Sequence, residues 1–140
     1  MYKTILVPVD LADPETSRPA LDQAVSLADA SGGNLRLIYI RSIMPVTYME
    51  FVPPSFDLDQ QREAEEGLAE IATGVALPKE RVSSVVRLGS VYHEVLDEAD
   101  KAAADLIVIG SHRPSMSTYL LGSNATTIVR HAKISVLVVR

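Results

Sequence analysis

The chain contains no cysteine. That absence removes disulfides, thiolate nucleophiles and cysteine metal sites, and it fits a reducing compartment. Long apolar runs are also missing. None reaches the roughly 18 residues that a membrane span requires. Met1-Tyr2-Lys3-Thr4 leads straight into a short apolar run, without a long hydrophobic region and a small-residue cleavage site, so no signal peptide is expected. Basic clusters are absent too. Arg62, Lys79, Arg81, Arg87, Lys101 and Arg113 are scattered through a chain of net charge -5, which argues against a nucleic-acid backbone as partner. The chain has no Gly-x4-Gly-Lys-Ser/Thr, so the phosphate lysine of a P-loop is missing. No His-x3-His or similar spacing supports a protein-held zinc site. No nucleophile elbow and no spaced Ser/His/Asp set supports covalent catalysis. The expectation is a cytoplasmic protein with neither membrane nor nucleic acid as partner.

What is present is a regular alternation. At 140 residues, with 47% hydrophobic and 22% charged, the chain is expected to form one domain over 1–140 and to bury its own core. The first apolar run, Thr4 to Val9, ends at Asp10. A helix is expected from Glu15 to Ala30, with Ala20, Leu21, Ala24, Val25, Leu27 and Ala28 on one stripe. Asp13-Pro14 is its start, with Asp13 as N-cap, and Ser31-Gly32-Gly33 its stop. Further strands are expected over Asn34–Ile40, Arg81–Leu88, Asp105–Ile109 and Ser135–Val139. Further helices are expected over Leu58–Thr73, closed by Gly74, from a Ser90 cap through Ala103, and over Ser123–His131. Arg41 to Phe56 breaks this rhythm with three prolines and the aromatic residues Tyr48, Phe51 and Phe56. Such a loop either packs its aromatics on the domain edge or serves as a lid or partner contact.

Strands that are apolar almost throughout, separated by helices, mean a parallel sheet covered on both faces. The expected architecture is α/β: a doubly wound three-layer sandwich with five strands and four helices. If the first strand is central, strand order reverses between it and the fourth. The crevice at that switch point is where ligands bind in open α/β sheets, and Asp10 and Gly110 lie there.

The segment after the fourth strand carries the strongest chemical signal: Ile109-Gly110-Ser111-His112-Arg113-Pro114, then Tyr119-Leu120-Leu121-Gly122-Ser123-Asn124-Ala125. Gly110, Gly122 and Ser123 are the residue types that bring backbone N–H groups close to an anion at a helix start. Gly-Ser is equally an ordinary helix start. His112 and Arg113 place positive charge beside such an anion. Asp10 suits a ribose hydroxyl or a hydrated metal ion, and it also reads as a turn-capping residue in Asp-Leu-Ala-Asp-Pro. Glu63, Glu65, Glu66 and Glu70 read as a solvated helix face. His93 and His131 stand apart on separate helices. The uncharged Val-Leu-Val-Val of the last strand is expected at a sheet edge, where a two-fold copy would cover it.

Together these segments resemble the universal stress protein family over essentially the whole length. The resemblance rests on Ile5-Leu6-Val7-Pro8-Val9-Asp10, Leu37-Ile38-Tyr39-Ile40, Asp105 to His112, Leu120 to Ala125, Val129-Arg130-His131-Ala132 and Val136-Leu137-Val138-Val139. It implies strand order 3-2-1-4-5 in the adenine nucleotide alpha-hydrolase-like fold, an ATP-type site and a homodimer through the last strand, or a higher oligomer. It implies adenine near Pro8, Val9 and Ile40. Ribose and phosphates are implied near Asp10, Ile109, Gly110, Gly122, Ser123, Asn124 and Ala125. The implied ligand is ATP, or ADP or AMP, with Mg²⁺. The family's usual Gly-x2-Gly-x9-Gly pattern is altered here. Arg113 stands at the middle position, and the stretch to Gly122 is one residue shorter. Arg113 either obstructs close approach of the loop or replaces a backbone contact with charge; the retained Gly122 and Ser123 favour the second. Three functions compete: a nucleotide-dependent stress-response or tolerance factor, a slow ATPase on the same site, and a nucleotide-free scaffold using the aromatic loop.

Overall fold

The computed structural model describes residues 1–43, 45–110 and 123–140. The chain runs β1 (Thr4–Pro8), α1 (Pro14–Ser31), β2 (Asn34–Arg41), a single turn α2 (Val46–Met49) and α3 (Phe56–Thr73). It continues through a 3₁₀ turn (Lys79–Arg81), β3 (Val82–Leu88), α4 (Val91–Lys101), β4 (Leu106–Gly110), α5 (Ser123–His131) and β5 (Ser135–Val139). The strands form one parallel sheet in the order β3-β2-β1-β4-β5, as expected. The expected bounds of α5 and β5 are observed unchanged. The other elements shift by one or two residues, and α2 is an added turn inside the expected irregular loop.

Alternation along the buried strands divides the core in two. Ile5, Val7 and Val9 of β1 and Leu35 and Leu37 of β2 pack with Ala20, Ala24 and Ala28 of α1 and Leu68 of α3. Leu6, Ile38, Ile40, Ile107 and Ile109 point the other way, onto Val95 and Ala99 of α4 and Ala125 and Ile128 of α5. A period of two on strands buried on both faces explains why the central strands β1 and β4 read as unbroken apolar runs.

The two glycines that end α1 serve different needs. Gly32 has φ 69°, the left-handed conformation that reverses the chain. Gly33 lies so close to the N-terminal segment that a Cβ would stand 2.2 Å from the Tyr2 carbonyl oxygen. Arg81 completes this corner, donating from Nε to Gly33 O at 2.8 Å and from Nη2 to Ala28 O at 2.7 Å.

Two expected side-chain caps are corrected. Asp13 and Ser90 precede α1 and α4, but neither side chain caps its helix. At Asp13 the main-chain carbonyl accepts from both the Thr16 N–H (3.1 Å) and the Thr16 hydroxyl (2.7 Å), and Pro14 has no N–H to satisfy. At Ser90 the main-chain carbonyl joins the helix, accepting from Glu94 N–H at 3.0 Å. α4 also ends before Ala103. That residue has φ 53°, a left-handed turn with no glycine to announce it.

The start of β4 is fastened to the start of β1 by Asp105. Its carboxylate accepts from the N–H groups of Lys3 (2.8 Å) and Thr4 (3.1 Å), while its own N–H donates to Thr4 O (3.0 Å). Burial, the largest single influence, opposes ionisation of this carboxyl, but the N–H groups of Lys3, Thr4 and Asp105 itself, with the Lys3 charge, together hold its pKa below the ordinary 3.8. A depressed folded-state pKa contributes stability above the unfolded value and loses it as pH falls through the folded value. Asp105→Asn is therefore expected to cost about 1 kcal/mol at neutral pH. Urea denaturation across pH should show the gap to wild type closing below about pH 4. The same method checks the corner glycines: Gly33→Ala should cost about 2 kcal/mol through overpacking against backbone, and Gly32→Ala about 1 kcal/mol through its left-handed φ.

Candidate functional site

β1 and β4 pair only at Ile5↔Leu106 and Leu6↔Ile107. The reason lies in Pro8. Val9 N–H donates to Ile38 O of β2 at 2.8 Å, so by alternation the backbone of Pro8 faces β4. A proline has no N–H to continue that ladder. Pairing of β1 with β4 therefore ends at Leu6↔Ile107, below Asp10 and Gly110 at the reversal of strand order, the general position of the ligand crevice in open α/β sheets.

The first turn of α1 touches both sides of this crevice. Ser17 is buried, and its Oγ accepts the Asp10 N–H at 2.9 Å. A Cβ on Gly110 would stand 3.5 Å from the Thr16 carbonyl oxygen, an ordinary contact. Among the described residues, packing makes no demand for glycine at 110.

Asp10 is 9% exposed. Its Oδ1 accepts Ala12 N–H at 3.0 Å, and its carbonyl accepts Asp13 N–H at 3.3 Å. The turn-capping role foreseen for Asp10 is therefore present. Its charge also reaches Tyr39. Burial raises the Tyr39 hydroxyl above its ordinary pKa, the Asp10 carboxylate raises it further, and Arg41 opposes both. Neither Ser17 nor Tyr39 was singled out by sequence reasoning. Ser17 carried a signal: it is the polar member of the stripe Ser17, Ala20, Ala24, Ala28, all buried. Tyr39 interrupts an otherwise aliphatic run in β2.

The remaining expected site residues separate by layer. Ile40, Ile109 and Ala125 share the core beneath α4 and α5, while Val9 belongs to the opposite core. Pro8 is buried and Asn124 half-buried. Ser123 opens α5. His112, Arg113 and Gly122 lie outside the described residues. The solvated face holds: Glu63, Glu65, Glu66 and Glu70 are exposed, as are His93 and His131. Among the described residues no group of three or more His, Cys, Asp or Glu side chains is placed to hold a metal ion. No described helix is long and apolar enough to cross a membrane.

Comparison with known proteins agrees with this architecture. Residues 1–140 match the universal stress protein family. Universal stress protein G of Escherichia coli O157:H7 is 40% identical over 146 residues, covering 100% of both chains. Among solved structures, universal stress protein UspA from Lactobacillus plantarum superposes with a TM-score of 0.78 at 26% identity, covering 99% of this chain and 98% of that one. Two more distant neighbours show the fold alone. One is a universal stress protein in complex with cAMP (TM-score 0.67, 24% identity, 99% and 97% covered). The other is the Archaeoglobus fulgidus protein in complex with dAMP (TM-score 0.64, 21% identity, 99% and 98% covered). A full-length family match and a 40% identical relative of equal span leave one conclusion: this chain belongs to the universal stress protein family.

Proposed function

We propose that the crevice between β1 and β4 binds an adenine nucleotide, ATP or in its place ADP or AMP, and that the protein is a nucleotide-dependent stress-response or tolerance factor. The observation that carries this reading is the end of β1–β4 pairing at Leu6↔Ile107, at the reversal of strand order. Such a crevice is the general ligand position of open α/β sheets. The start of α5 supports the phosphate end. Ala125, in its first turn, shares a core cluster with Ile40 and Ile109, and the N-terminal, positive dipole end of a helix suits an anion. Complexes of cAMP and of dAMP with proteins of the same fold support the adenine nucleotide class.

In this reading Pro8, Val9 and Ile40 flank the base. Asp10 takes a ribose hydroxyl, because a carboxylate repels phosphate oxygens; a hydrated Mg²⁺ on the phosphates would satisfy it equally. Gly110, Gly122, Ser123 and Asn124 admit the phosphates, and His112 and Arg113 neutralise them. Mg-ATP titrated calorimetrically into the wild type is expected to bind, and Gly122→Val to weaken binding at least tenfold while the circular dichroism spectrum is unchanged. Equal affinity in the two proteins would overturn the site.

A cytoplasmic homodimer through β5 completes the proposal. β5 is an edge strand, and Val138 on it is 39% exposed without a charge to discourage pairing. Val138→Lys is expected to halve the mass measured by light scattering after size exclusion; an unchanged mass would place the dimer contact elsewhere.

A further inference from the structure

On the α3 side of the sheet the Ser42–Phe56 loop and α3 enclose a groove of about 1220 Å³. Leu11, Tyr39, Ile43, Tyr48, Phe56 and Leu88 supply much of its apolar lining. The apolar surface does not stop at the groove. Ile43 is 69% exposed, Tyr48 60%, Phe51 76% and Leu58 69%. The aromatic residues at 48 and 51 are thus turned to solvent, which favours the second of the two roles expected for this loop over packing on the domain edge. Aromatic side chains in water beside a groove are what protein contacts use as anchors. The volume exceeds the roughly 300–1,000 Å³ of small-molecule pockets, and the exposed apron continues past it. A chain segment suits this shape better than a small ligand.

The charge of the groove narrows the occupant. Its lining includes Glu50, Asp57 and Glu63, against Arg41 alone. Arg41 is already engaged. Its Nη1 donates to Gln61 Oε1 at 2.9 Å and its Nη2 to Asp57 Oδ1 at 2.7 Å. Among the described residues, no ion pair reaches Glu50 or Glu63. The groove therefore presents apolar anchors with two uncompensated carboxylates. We propose that it docks a segment of a partner protein that combines apolar side chains with Lys or Arg. The apolar side chains enter between α3 and the loop, and the cations meet Glu50 and Glu63. This surface adjoins the turn after Asp10 through Leu11, Ala12 and Tyr39, but its apolar apron and its carboxylates lie on the loop and α3.

The probe is a short fluorescein-labelled amphipathic peptide of Leu and Lys, with its Leu/Glu counterpart as control, followed by fluorescence anisotropy on the full chain. The wild type should bind the Leu/Lys peptide at least tenfold tighter than the Leu/Glu peptide. Tyr48→Ser with Phe51→Ser should weaken binding at least tenfold. Glu50→Lys with Glu63→Lys should reverse the preference. All four positions are exposed, so circular dichroism should be unchanged. Asp22→Lys, on exposed α1 surface, controls for attraction to the acidic protein as a whole and should leave affinity within twofold. The proposal is overturned if Asp22→Lys weakens binding as much as the groove variants do, or if the groove variants bind like wild type. It is equally overturned if they abolish self-association instead, which would make a second copy the occupant.

Discussion

The junction of β1 with β4 is the contact on which the rest of the molecule depends. At one end Asp105 ties the two strands together through the N–H groups of Lys3 and Thr4. At the other end Pro8 withholds the N–H that would carry the ladder on, and pairing ends at Leu6↔Ile107. A central pair fastened at its base and free at its top gives a rigid sheet with an opening at the reversal of strand order. Both core layers meet at this pair, because Ile5 and Val7 face one side and Leu6 and Ile107 the other.

The crevice is organised by backbone groups more than by ionised side chains. Asp10 is its most buried carboxylate, and its Oδ1 holds the turn that leads into α1. Ser17 holds the Asp10 backbone from the helix side. Among the described residues a network of ion pairs lies on the outer surface of β3 and α4. There Arg87 engages Glu94, Asp97 and Glu98, while Arg36 reaches Glu98 at 2.7 Å. The buried Glu98 joins the two guanidinium groups and fixes α4 against the sheet edge.

Much of the fold was legible in the chain because its signals are local. Apolar runs of strand length, helical stripes such as Ala20, Ala24 and Ala28, and the Gly32-Gly33 stop each follow from the spacing of neighbouring residues. The misses are equally local in cause. Ala103 adopts a left-handed φ without being glycine, so the end of α4 had no marker. Asp13 and Ser90 are good capping residues whose side chains are not used; at Asp13 the main-chain carbonyl already takes the Thr16 N–H that the side chain would have capped. That Val9 and Ile40 belong to opposite core layers had no local marker either, being a consequence of register across two strands.

By itself the sequence determined the class of fold, the strand order expected of its family resemblance, and the two strand ends that flank the crevice. These depend on residue type and on short-range periodicity, which the chain carries in full. Only the tertiary structure decided that Pro8 faces β4, that Gly33 abuts the Tyr2 carbonyl, that Ser17 and Tyr39 belong with Asp10, and that Tyr48 and Phe51 stand in solvent. Each of these is a contact, or a missing contact, between segments far apart in the chain. Such relations are set by strand register and helix packing, and no window of neighbouring residues contains them.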